Sequence, residues 1–216
     1  MIPFPDHYDD ALQALPAEHM SEAGQQAIES LKEKGYEVQT GLTMEYADAI
    51  AVLSREPSIQ EYCPKDCSER FASRETTAKW LSKKRATYLL LQILDDGQKQ
   101  LAGYGWVGAK QTAQVPGGET TFSLRVGENH QGKGLATPFA LAMLAAAEAT
   151  YGAPHMWLET WASNGGAVHI YNKLGFNTIA EKPDERPSLS GQMVADTRLY
   201  MTAEQGDDGG SEDFTI

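Results

Sequence analysis

The hydrophobic and polar positions of this chain change period several times, and the changes divide it into elements. Between Thr121 and Val126 the period is two: Phe122, Leu124 and Val126 alternate with Thr121, Ser123 and Arg125, as in a strand with one face on a core. From Leu135 the spacing becomes three to four. Leu135, Phe139, Ala142 and Ala146 form a stripe that Met143 and Ala147 widen, which predicts a buried amphipathic helix running to about Gly152. Gly132 and Gly134 lie between the two periods, where a backbone without Cβ atoms can bend tightly and come close to a ligand. Pro138 is then confined to the first helical turn, where its missing N–H has no partner to lose.

The same reading orders the rest of the chain. Residues 18–34 predict a helix stopped by Gly35, and Tyr36 to Thr43 a strand. Tyr46 to Ser54 predicts a helix with Ala47, Ile50, Ala51 and Leu53 inward, ended by Pro57. Residues 58–66 read as a loop and Ser68 to Lys84 as a further helix. Thr87 to Leu94 and Leu101 to Ala109 are strands joined at Asp95-Asp96-Gly97, a hairpin signal, and Pro116-Gly117-Gly118 turns the chain into the strand at Thr121. His155 to Ala162 and Val194 to Met201 are strands; Phe176 to Glu181 begins the last pairing, and Pro183 to Gly191 is a loop. The expected fold class is α/β, a mixed and mainly antiparallel sheet with helices on both faces.

The strand, glycine-bearing loop and helix build a cradle for an anion. Free N–H groups and the dipole of a helix start favour negative charge, and Lys133 adds a cation. Three patterns compete for these residues. Gly127, Gly132 and Lys133 satisfy most of a Walker A loop, but Gly134 stands where a hydroxyl should hold magnesium. A dinucleotide fingerprint needs glycine or alanine three residues after Gly134, and Thr137 is there instead. The third pattern, [QR]-x-x-G-x-[GA] after a strand ending in valine, is met by Gln131, Gly134 and Ala136, with Val126 five residues before Gln131.

That segment resembles the acetyl-CoA loop of the GNAT family of N-acetyltransferases. A second signature of the family follows in the right order: a strand, HMWLETWA, then Asn164, Ala167 and Tyr171-Asn-Lys-Leu-Gly-Phe176. The resemblance implies the GNAT fold, acetyl-CoA as co-substrate, and transfer of the acetyl group to an amine by direct attack on the thioester. It implies a bulge in the ligand strand that splays it from its neighbour, so that Leu124 and Val126 offer backbone groups to the pantetheine arm. Gln131, Gly132, Lys133, Gly134, Leu135, Ala136 and Thr137 would hold the pyrophosphate. Tyr171 would protonate the departing thiolate, its alternative being a packed aromatic. Asn164 would touch pantetheine or simply cap its helix.

A general base is harder to find. The position used by protein-lysine acetylating relatives is Thr120 here; Glu119 is one residue away, and Glu159 lies on the neighbouring strand on the face of Trp157 and Trp161. Proton loss to ordered water is the alternative. The segment between the second and third predicted helices borders the acceptor site in the family. His130 reads as a solvated loop residue and His169 as a surface one, while Tyr104, Trp106, Trp157 and Trp161 are acceptor-pocket or core residues. The runner-up function is a non-catalytic module that binds or senses CoA.

Composition narrows the picture a little. With 216 residues and 41% hydrophobic content the chain can bury one core. Residues 1–36 are an N-terminal extension with a helix, 37–202 the acetyltransferase domain, and 203–216 an acidic tail expected to be disordered. The net charge of −12 belongs mostly to the ends: Met1 to Met20 holds four acidic and no basic residues, and Ala203 to Ile216 five and none. No basic stripe suggests a nucleic-acid partner. No apolar run approaches the roughly 18 residues of a membrane span and no leader pattern opens the chain, so a soluble cytoplasmic protein is expected. Family members often pair, and the sequence leaves the choice between monomer and homodimer open. Cys63 and Cys67, without nearby histidines, make a poor zinc site and read as two free thiols or a redox pair. No metal is expected.

Overall fold

The computed structural model describes residues 2–5, 11–152 and 156–203. The tail at 204–216 and the start of the sixth strand at His155 lie outside them. The sheet has eight strands: β1 (Leu12–Ala14), β2 (Tyr36–Gly41), β3 (Arg85–Ile93), β4 (Lys99–Ala109), β5 (Thr120–Val126), β6 (Met156–Trp161), β7 (Phe176–Pro187) and β8 (Met193–Ala203), in the order β1-β2-β3-β4-β5-β6-β8-β7. Every pairing is antiparallel except β5 with β6. Helices α1 (Glu22–Glu33), α5 (Ala136–Tyr151) and α6 (Gly165–Lys173) cover one face; α2 (Met44–Leu53), α3 (Pro57–Tyr62) and α4 (Arg74–Leu81) cover the other. The expected α/β architecture is what the chain adopts.

The periodic elements fall where their patterns put them. The stripe of α5 is buried throughout, and so are Ala140 and Ala145, because α1 packs on its outer side. Ser21 caps α1 by accepting from Gly24 N–H at 3.4 Å, and Gly35, at φ +80°, turns the chain directly into β2. A Cβ on Gly24 would lie 2.4 Å from Ala145 Cβ, so only glycine allows this approach. Gly24→Val is expected to destabilise the protein by about 1–3 kcal/mol through overpacking, outweighing the few tenths it gains in helix propensity. Chemical denaturation measures this; an unchanged midpoint would show α1 to be loosely attached.

Four expectations need correction. Residues 58–66 are not a loop: Pro57 starts α3 at a position where proline costs nothing, and a π-helical turn follows at Asp66–Arg70. The helix read over Ser68 to Lys84 shrinks to α4, whose true start is Ser73, joined to Thr76 in a reciprocal capping box. Pro183 lies inside β7 rather than a loop, because β7 is an edge strand that tolerates a missing donor. The bulge expected in β5 is absent, its register with β4 running unbroken from Gly103↔Val126 to Ala109↔Thr120. The extra residue is Ala102 in β4, at the break between Leu90 and Leu91, and it accepts a bond from Gly127 N–H at 2.9 Å. The distortion thus sits beside the end of β5 and bends both strands together. Strand β1, which is too short to show a period, had no signal.

Candidate active site

β5 and β6 run side by side but pair at only two positions, Thr120↔Met156 and Thr121↔Trp157. Beyond them the strands part, β5 staying with β4 as far as Val126 and β6 with β8 as far as Trp161. The opening between them is the centre of the site. Because Gly127 N–H bonds to Ala102, antiparallel alternation turns the N–H and C=O groups of Val126 and Leu124 away from β4 and into the opening. Their carbonyls already have partners: Val126 O accepts from Gln131 Nε2 at 2.9 Å, and Leu124 O from Arg125 Nη1 at 2.8 Å. The N–H groups are the ones left facing outward, past the end of β6 pairing.

The cradle loop continues from β5. Gly132 and Gly134 have φ values of +72° and +67°, and a Cβ at Gly132 would meet nothing within 4 Å. Leu135 precedes α5 and offers no side-chain cap, so the Ala136 and Thr137 N–H groups point out of the helix start unbonded by a side chain. The loop is anchored at both ends. Glu128 N–H donates to Glu56 Oε2 and Ser58 N–H to Glu128 Oε1, each at 2.7 Å, while Gln131 Nε2 reaches Ser58 Oγ at 3.0 Å. His130 is half-buried rather than solvated, its Nδ1 3.0 Å from the Tyr36 hydroxyl. Burial, then Lys133, lowers its pKa. Lys34, at the end of α1, places its ammonium 2.9 Å from Gly134 O.

Tyr171 lies on α6, on the α5 side of the sheet, with its ring edge-on to Phe122 at 5.7 Å. Its phenol nevertheless interacts with Arg125 and Cys63, which belong to the other face. Burial pushes its pKa up to about 12, against the pull of Arg125. Asn164 caps α6, accepting from Ala167 N–H at 3.2 Å. His169, two residues before Tyr171, is exposed.

The opposite side of the opening holds a polar cluster that the sequence did not reveal. Asp66 is fully buried and accepts from Arg125 Nε at 3.0 Å and Arg70 Nη1 at 3.1 Å. Arg125 also reaches Ser123 Oγ at 2.6 Å and lies over the Trp106 ring. Burial, the largest single influence, would lower its pKa, but Asp66 together with Cys63, Tyr104 and Tyr171 raises it on balance, so the guanidinium stays charged. Cys63 sits beside these groups, its thiol pushed up by burial and pulled back by Arg125. Cys63 and Cys67 are free thiols. Tyr104 and Trp106 are buried core residues that stack on each other rather than line an open pocket. An alternating pattern could mark Arg125 only as a polar-face residue, and Asp66 gave no signal at all.

The two candidate carboxylates occupy different places. Glu159 is held between Lys110 Nζ at 3.3 Å and Arg198 Nη1 at 3.9 Å. Glu119 is exposed just ahead of Thr120, at the end where β5 and β6 are still paired. Among the described residues no group of three or more His, Cys, Asp or Glu is placed to hold a metal ion, and no helix is long and apolar enough to cross a membrane.

Known structures share this fold. Structures sharing the fold include the Vibrio cholerae spermidine N-acetyltransferase in complex with CoA and spermine, at 18% identity and a TM-score of 0.60, covering 78% of this chain and 96% of that one. The Salmonella typhimurium yncA protein with its cofactor acetyl-CoA matches at 16% identity and 0.60, covering 84% and 99%. A GNAT-family acetyltransferase from Streptococcus pneumoniae matches at 18% and 0.56, covering 77% and 99%. No curated protein matches by sequence. The Acetyltransferase (GNAT) domain family matches residues 41–177, which span β5, the cradle loop, α5, β6 and the helix of Tyr171. With that match over more than half its length, the chain belongs to the GNAT family of acetyltransferases.

Proposed function

We propose that this enzyme moves an acetyl group from acetyl-CoA to a primary amine by direct attack on the thioester. The observation that carries the reading is the β5–β6 opening, with the Leu124 and Val126 N–H groups turned into it and Tyr171 on the helix that follows β6, close enough to Arg125 of β5 to feel its charge. The Val126 N–H would polarise the thioester carbonyl, and the Leu124 N–H would bond the pantetheine arm as an added strand does. Gln131 to Thr137 would hold the pyrophosphate mainly through backbone N–H groups at the uncapped start of α5. Asn164 stays with α6 as its cap, close to the arm.

Magnitudes refine the part played by Tyr171. A CoA thiol resembles cysteine, with a pKa of about 8.5, so a phenol at about 12 would give up its proton uphill by ~5 kcal/mol. The hydroxyl therefore acts by donating a hydrogen bond to the developing thiolate, and the proton that neutralises the sulfur comes in the end from the ammonium formed at the acceptor. The acceptor must arrive deprotonated. Glu159 is clamped between two cations and Glu119 lies at the closed end of the strands, so neither stands as a free base, and ordered water relays the ammonium's proton to the departing thiolate.

The charges around the acceptor side also bear on its substrate. Asp66, Glu61, Glu159, Asp184 and Asp196 each have an arginine or lysine partner within 4 Å. These five carboxylates are already neutralised by their partners, which leaves them weaker contacts for the second ammonium of a polyamine. Thiol release from acetyl-CoA across a panel of amines tests both points. Activity is expected with at least one primary amine, and spermidine is expected to show no higher kcat/KM than monoamines. Absence of transfer with acetyl-CoA still bound would leave the CoA-binding module as the better reading.

A further inference from the structure

We propose that Lys34, from the N-terminal helix that precedes the residues matched to the family, is part of the acetyl-CoA site and meets a phosphate of the donor. The inference rests on the cradle reading above. Lys34 Nζ donates to Gly134 O at 2.9 Å and lies 3.4 Å from Lys133 O, a contact between residues 100 apart in the chain. A cation on the carbonyl side of these peptide units polarises them, so that the N–H groups on the opposite side become better donors to an anion.

Its position is built rather than incidental. Helix α1 is seated on α5 by the Gly24–Ala145 approach and by buried Ala27 and Leu31. Gly35 then reverses the chain at once, and Tyr36 bonds His130 in the same loop. The segment 34–36 therefore touches the cradle twice. Lys34 and Lys133 both lie at this loop, and neither makes an ion pair with a carboxylate among the described residues. In a chain of net charge −12, two lysines without a carboxylate partner thus belong to the loop where an anion is expected. Lys32, one turn-edge away, differs: it is paired with Glu29 at 2.7 Å.

Calorimetry of acetyl-CoA binding to the full chain tests this. Lys34→Met is expected to raise Kd about tenfold, as loss of a charge-assisted hydrogen bond does, and to flatten the dependence of Kd on salt. Lys34→Arg should recover most of the affinity, and Lys32→Met should leave it unchanged, with the melting temperature of each variant close to that of the wild type. Dephospho-CoA distinguishes the phosphates. If the Lys34→Met effect vanishes with it, the partner is the 3′-phosphate; if the effect persists, it is the pyrophosphate. Equal Kd and salt dependence in wild type and Lys34→Met would overturn the proposal while leaving the cradle intact, whereas a wild type that does not bind acetyl-CoA would remove both.

Discussion

Tyr171→Phe is expected to lower kcat roughly 100-fold, the scale of a hydrogen bond to a charged group lost only in the transition state. Acetyl-CoA affinity should be unchanged, because the phenol contributes nothing to the pyrophosphate cradle and its ring packing on Phe122 survives the change. Retained binding with lost turnover separates this role from a packing one, which would instead show as a lower melting temperature with full activity. The pH profile is a second check. Since the phenol is held protonated up to about 12, the wild type should lose no activity from its ionisation as pH rises to 10. The limb at low pH belongs to the acceptor amine, which must be neutral to attack, so activity rises with pH in both proteins. A wild-type decline centred near pH 9 would contradict the buried, protonated phenol.

Gly134→Asp should weaken acetyl-CoA binding by at least about 100-fold. Two effects act in the same direction. The residue is at φ +67°, where a side chain costs about 1–2 kcal/mol, less for aspartate than for most. Repulsion is larger: a carboxylate about 5 Å from a phosphate charge costs ~3 kcal/mol at an effective dielectric constant near 20. The new side chain would also start 3.1 Å from Lys34 Nζ and draw that cation to itself. Gly134→Ala isolates the backbone contribution and should cost only about tenfold. Unchanged affinity of the aspartate variant by calorimetry would falsify the assignment of this loop to the donor.

How legible the site was depended on how local each part is. The strand at Thr121–Val126, the glycine turn and α5 declare themselves through period and backbone chemistry, and the structure places them as expected. The helix of Tyr171 rests instead on the resemblance to the family's second signature, and the structure shows Asn164 as its cap and Gly175 after its end, at φ +80°. The segment from Pro57 to Ser73 was misread because α3 has six residues and the turn at Asp66 five, too few to show a helical period. The bulge was assigned to the wrong strand for a related reason. Which of two paired strands holds an extra residue depends on their register, and one strand's sequence does not contain it.

Charge partners were less legible still. Arg125 looked like a polar-face residue, yet it lies 3.0 Å from a fully buried Asp66, 59 positions earlier. The pattern puts Glu159 on a strand face but does not name its partners, which the structure shows to be Lys110 and Arg198. Nothing in the local pattern sets Lys34 apart from the other lysines. The sequence by itself determined the elements whose physics is local: alternation in β5, the apolar stripe of α5, glycines at positive φ, and the order of the two motifs that mark the family. Only the tertiary structure decided the separation of β5 from β6, the packing of Tyr171 on Phe122, and the cations that hold Asp66 and Glu159. Those depend on contacts between residues far apart in the chain, and their energies depend on burial, which no local pattern encodes.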